Sequence, residues 1–135
     1  MSSADKIILD GNAIGLFDSY ARGQLKKIND GFNAQFEQTT GEYISPYFCK
    51  RNNTVYVEFP NLTPNKIINH GSWITVCYVK TEHKPLSTVY RNISVGGTIT
   101  VLVEINASGP VKMYSPTTDI PTTGRFFGGF SYLTI

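Results

Sequence analysis

From Tyr43 onward, the apolar residues of this chain recur with the alternation of strands. TVYVEF (Thr54–Phe59) sets Val55, Val57 and Phe59 against Thr54, Tyr56 and Glu58. TITVLVEI (Thr98–Ile105) does the same, which places Ile99, Val101, Val103 and Ile105 inward and Glu104, like Glu58, toward solvent. WITVCYV (Trp73–Val79) is apolar on both faces, the pattern of a central buried strand with Trp73 in the core. STVYRNI (Ser87–Ile93), VKMYS (Val111–Ser115) and RFFGGFSYLTI (Arg125–Ile135) complete the set. The paired glycines of the last run predict a bulge or a close backbone approach, and its aromatics predict core or subunit contacts. Turn signals separate the runs at Pro60-Asn61, Pro64-Asn65, His70-Gly71, Gly96-Gly97, Ser108-Gly109-Pro110, Ser115-Pro116 and Pro121–Gly124. Short strands punctuated this regularly predict a mainly β fold, an antiparallel β-sandwich or jelly-roll-like head over residues 41–135.

The first 40 residues follow another rhythm. KIILDGNAIGL carries Asp10-Gly11, a hairpin turn, between two apolar runs. Beyond it, Phe17, Ala21, Leu25, Ile28, Phe32 and Phe36 recur at helical spacing, with Asp18 or Ser19 as the N-cap. Arg22, Gln24, Lys26, Lys27 and Asn29 take the opposite face. Leu25, Ile28 and Phe32 also fit a heptad segment. Gly23 and Gly31 weaken this helix, and it is too short to stand alone. Its stripe is expected either to pack on its own domain or to meet its copies on a threefold axis.

Composition narrows the functional classes. Charged residues make up 16% of the 135, with a formal net charge of +2. The basic residues are scattered, so no nucleic-acid footprint is expected. The N-terminus lacks a signal-peptide pattern, and no apolar run reaches membrane-spanning length, so neither secretion nor membrane insertion is expected. Cys49 and Cys77 lie in apolar strand-like runs and are expected as buried thiols. The Asn-x-Ser/Thr sequons at Asn52, Asn61, Asn92 and Asn106 carry no glycosylation expectation in that setting.

The search for chemistry yields no nucleophile elbow, phosphate loop or dinucleotide fingerprint. His70 and His83 fall in turn-like segments without a carboxylate at ligand spacing, so no metal and no cofactor is expected. A glycosidase needs two facing carboxylates, and nothing singles out a pair. The expectation is a non-enzymatic protein. Trp73, His83, Tyr90 and Arg91 are the candidate ligand-binding residues. The last three lie on or beside KTEHKPLSTVYR, a polar, Pro-containing stretch with aromatic and basic groups able to stack on and hydrogen-bond a sugar.

DKIILDGNAIGLFDSYARGQLKKIND resembles the front segment of tail and baseplate proteins from phages and prophages of Gram-positive bacteria. The matching residues are Asp10-Gly11, Asp18, Ala21 and Arg22, followed by Leu25 and Ile28. TVYVEFPNLT, GGTITVLVEINASGPVKMYS and IPTTGRFFGGFSYLT resemble the β-rich heads that end such proteins. Many family members carry a long coiled stalk after the front segment, and this sequence has none. The resemblance implies a homotrimeric head, an N-terminal attachment part, and other phage tail or baseplate proteins as partners. The heptad reading agrees independently, since in a trimer Leu25, Ile28 and Phe32 would form the seam, against packing of the stripe on its own domain. The resemblance further implies adsorption to host cell-wall polysaccharide, and a place in the virion tail after synthesis in the host cytoplasm. It carries over no catalytic residue. A connector or decoration protein binding only virion proteins is the alternative, and a surface-glycan hydrolase or lyase is a more distant one.

Overall fold

The computed structural model describes residues 35–135, the unit Gln35–Ile135. The Asp10-Gly11 hairpin and the Leu25–Ile28–Phe32 stripe lie outside the described residues. Phe36, the last position of that stripe, immediately precedes a strand and is partly exposed.

The unit is mainly β. Its strands are β1 (Glu37–Gln38), β2 (Tyr47–Arg51), β3 (Thr54–Leu62), β4 (Trp73–Tyr78), β5 (Val89–Val95), β6 (Ile99–Ile105), β7 (Pro110–Tyr114) and β8 (Phe126–Leu133). Among the described residues the one helical element is a 3-10 turn at Thr81–His83. All eight strands join one antiparallel sheet in the order β1-β2-β3-β8-β5-β6-β7-β4. The sheet curls on itself as a half-barrel, so its inner face encloses a single core.

The alternation read from the sequence sets that inner face. Val55, Val57 and Phe59 of β3 are buried, as are Val101, Val103 and Ile105 of β6. Phe48, Ile93, Val111, Met113, Phe126 and Tyr132 complete the lining from the neighbouring strands. Each large apolar side chain removed from water contributes about 1.5–3 kcal/mol. Ile68 and Ile120, both fully buried, close one end of the curl, where the 63–72 and 115–125 connections meet in an isolated antiparallel bridge. His70 fastens the same two connections. Its N–H donates to Asp119 Oδ1 at 2.9 Å, and its Nδ1 lies 2.6 Å from the same oxygen. The backbone N–H bond, then the ring bond, hold the Asp119 carboxyl below its usual range. A distant carboxylate therefore serves a histidine for which the local sequence offered none.

Several positions depart from the sequence reading. WITVCYV is not a central strand, because β4 is the last strand of the sheet and pairs only with β7. A register shift between Thr75 and Cys77 turns both Val76 and Cys77 inward, and this explains the run that is apolar on both faces. Trp73 and Tyr78 at its ends are 42% and 67% exposed. Pro60-Asn61 is not a turn. It lies within β3 at a register shift against β8, with Asn61 at φ 59°. The turn that reverses the chain is Asn52-Asn53, with Asn52 at φ 57°, a conformation Asn tolerates well.

The closing strand separates its aromatics by alternation. Phe126 and Tyr132 are core, Phe130 is partly buried, and Phe127 is exposed. The paired glycines make the close approach expected of them. A Cβ at Gly129 would stand 2.7 Å from the Val57 carbonyl oxygen. Gly41 plays the same part where the β1–β2 connection crosses the free edge of β4. A Cβ there would overlap the Ile44 carbonyl and stand 2.7 Å from that of Val76. Tyr43 N–H donates to the Val76 carbonyl at 3.2 Å, tying the two ends of the curl.

Cys49 and Cys77 are both buried and form no disulfide. No helix of the described residues is long and apolar enough to cross a membrane.

Candidate functional site

Strand alternation that points valines inward must present their neighbours outward. On β5, β6, β7 and β4 those neighbours form one surface. Leu102 of β6 sits opposite Tyr114 of β7, and Tyr114 opposite Trp73 of β4. Glu104 sits opposite Lys112 on one side and Tyr90 on the other. The rings meet across the strands. Trp73 and Tyr114 have centroids 5.3 Å apart at 36°, and Trp73 and Tyr90 are 6.2 Å apart at 62°. Tilted and edge-on contacts of this kind stabilise aromatic pairs beyond their buried area. Trp73 and Tyr90 remain 42% and 52% exposed.

The result is an aromatic platform with a polar rim. Glu104 is 8% exposed rather than solvent-facing, because the neighbouring side chains of Tyr90 and Lys112 flank it. Its carboxylate accepts a hydrogen bond from Asn106 Nδ2 at 3.2 Å. Asn106 Oδ1 in turn accepts from the Ser108 backbone and hydroxyl, which fixes the amide. Exposed aromatic surface can pack on the C–H face of a sugar ring while the rim bonds its hydroxyls.

The four candidate residues do not form one site. Trp73 and Tyr90 come together on the platform. Arg91, the next residue along β5, belongs to the opposite side of the strand, and its Nη2 donates to the Ser131 carbonyl at 3.3 Å. His83 is 5% exposed and stacks on Phe48 at 5.8 Å and 16°. It is a structural histidine under the sheet edge. Burial, then the nearby Lys80 charge, push its pKa down. Its Nε2 is 4.0 Å from Glu37 Oε1, and Lys80 pairs with both Glu37 and Glu82.

Tyr114, Leu102 and Glu104 are the platform residues that sequence reading missed. Their signal was present in the outward positions of two alternating strands. Only the register shows that those positions adjoin Trp73. Among the described residues, no group of three or more His, Cys, Asp or Glu is placed to hold a metal ion.

No protein-family model matches the chain, and no curated protein matches it.

Proposed function

We propose that this chain is a non-enzymatic phage tail, baseplate or tail-fibre component, homotrimeric in the virion, whose β-rich head binds host cell-surface saccharide. The observation that carries the binding part is the Trp73–Tyr114–Tyr90 cluster, in which Trp73 and Tyr90 are exposed. Solvent-exposed aromatic rings held together beside a fixed carboxylate and amide suit a sugar better than they suit bulk water. Among the described residues whose register places them on the platform, Glu104 is the one carboxylate, which favours binding over glycoside hydrolysis by a carboxylate pair. A sheet curled over one core is compatible with a sandwich- or jelly-roll-like head. The tail assignment and the trimer rest on the resemblance of the front segment and the head phrases, with Leu25, Ile28 and Phe32 as the seam.

The test is a pull-down of the full chain on purified host cell-wall polysaccharide, compared with its Trp73→Ala variant. Retention of the parent and loss of roughly tenfold or more in the variant are expected for a central aromatic anchor. Equal retention of the two, or none of either, overturns the platform as a receptor site. Sedimentation of the full chain addresses the trimer, and a monomer at working concentrations overturns it.

A connector that binds only virion proteins is the second reading. Beyond the Tyr43–Val76 bond the outer edge of β4 pairs with no described strand, and Tyr78 at its end is 67% exposed, which favours that reading because an unpaired strand edge is a docking template. Co-assembly with tail proteins without polysaccharide retention would select it.

A further inference from the structure

The ladder between β5 and β8 is short. These strands pair at Ser94–Phe127 and Val95–Phe126, yet β5 starts at Val89 and β8 continues to Leu133. Where two neighbouring strands stop pairing, the sheet opens. Here it opens into a groove of about 600 Å³, within the roughly 300–1,000 Å³ of ligand sites. Tyr56, Leu86, Val89 and Leu133 supply apolar walls, and Arg91 and Ser131 lie among them. Leu86 N–H donates to the Leu133 carbonyl at 3.0 Å and ties the groove at one end.

The electrostatics of the groove are incomplete. Arg91 Nη1 donates to the Tyr90 carbonyl at 2.9 Å, and Nη2 reaches Ser131. Carbonyls satisfy donors but leave the charge uncompensated, and the guanidinium keeps further donors unspent. A second guanidinium adjoins. The Arg51 Cζ lies 5.4 Å over the Tyr56 ring, and its Nε is buried without a hydrogen-bond partner. Among the described residues neither arginine is ion-paired. Glu58, two residues from Tyr56 on β3, has its carboxylate over Gly129 instead.

We propose that this groove is a second ligand site, taking a sugar ring that bears a carboxylate. The Arg91 fork matches a carboxylate in geometry. Arg91 is the one charged side chain among the lining residues, and one carboxylate matches one edge of its guanidinium. The Tyr56 ring and the leucines meet the C–H face of the sugar, and the Ser87 and Ser131 hydroxyls meet its own hydroxyls. The proposal extends the saccharide reading of the Trp73 platform by adding an acidic sugar at a different place in the sheet.

The experiment is an amide-resolved NMR titration of the full chain with glucuronate, glucose and inorganic phosphate. Glucuronate is expected to give saturable shifts at Leu86, Arg91 and Leu133, and to bind more tightly than either other probe. Ser87→Glu places a like charge at the exposed groove rim without touching the strand contacts, and weakening of glucuronate by roughly fivefold or more is expected. Arg91→Lys keeps the charge and loses the fork, and is expected to weaken it severalfold. Glucose or phosphate shifting the Leu86, Arg91 and Leu133 amides as tightly as glucuronate overturns the proposal, as does an unchanged affinity in Ser87→Glu. If the parent chain retains no wall polysaccharide, the receptor reading falls while the glucuronate titration still decides the groove.

Discussion

The Tyr132 hydroxyl donates a 2.6 Å hydrogen bond to the His83 carbonyl, joining residues 49 positions apart. Tyr132 is on the last strand, and His83 ends the 3-10 turn that covers the sheet edge. The neighbouring Thr134 adds a hydroxyl bond to the Lys84 carbonyl and an isolated bridge with Pro85. The C-terminal strand thus holds the 79–88 connection against the core. Burial raises the Tyr132 phenol pKa, so it stays a donor throughout the physiological range. Tyr132→Phe keeps the ring and leaves a buried carbonyl without its partner. A loss of about 1–3 kcal/mol is expected in urea unfolding.

The buried His83 makes stability pH-dependent. Its pKa is lowered from the ordinary 6.5 by burial and by the Lys80 charge, while Glu37 and Glu82 oppose that shift and Lys50 adds to it. The unfolded chain therefore takes up the proton first as pH falls. The stabilisation is complete above about 6.5 and is lost as pH drops through the folded-state value. The urea midpoint is expected to fall between pH 7.5 and pH 5. His83→Gln should flatten that part of the slope, and an unchanged slope would show that other groups set it.

The crossing at Gly41 tolerates no side chain. Gly41→Ala pushes a methyl into backbone carbonyls, which cannot swing away as a long side chain can. Overpacking of this kind typically costs about 1–3 kcal/mol. The variant should unfold at lower temperature, with earlier hydrogen exchange at Tyr43, whose N–H spans the crossing to Val76.

Trp73 is the sole tryptophan, and it reports on the platform. At 42% exposure its emission should be quenched by acrylamide in the native state, well above the level of a buried indole. Tyr114→Ala removes its nearest ring neighbour and should increase that quenching while changing stability by about 1 kcal/mol or less beyond the lost burial. Quenching as weak as that of a core tryptophan would contradict the exposed position.

The two cysteines should resist thiol reagents until the unit opens. Both are buried, and burial pushes the Cys77 thiol up to about 12, with the Thr39 hydroxyl partly offsetting it. A thiolate is the reactive form, so labelling at pH 8 should track global unfolding in urea. Rapid labelling of the native chain would mean that the β4 edge opens locally.

The sequence by itself determined which face of β3 and β6 would be buried, because a strand alternates its side chains whatever its neighbours are. It also marked the paired glycines of β8 as a place where backbone comes close. It could not order the strands. The apolar run of β4 reads as a central strand, yet a register shift turns two successive residues inward on a strand at the edge. That edge position exposes Trp73, and the register across β7 and β5 brings it to Tyr114 and Tyr90. The long-range partners Asp119 for His70 and Tyr132 for His83 were equally invisible, since each pair is 49 residues apart. Local pattern fixes which way a side chain points. Which side chains then stand together depends on hydrogen-bond register between distant strands, and only the tertiary structure decides that.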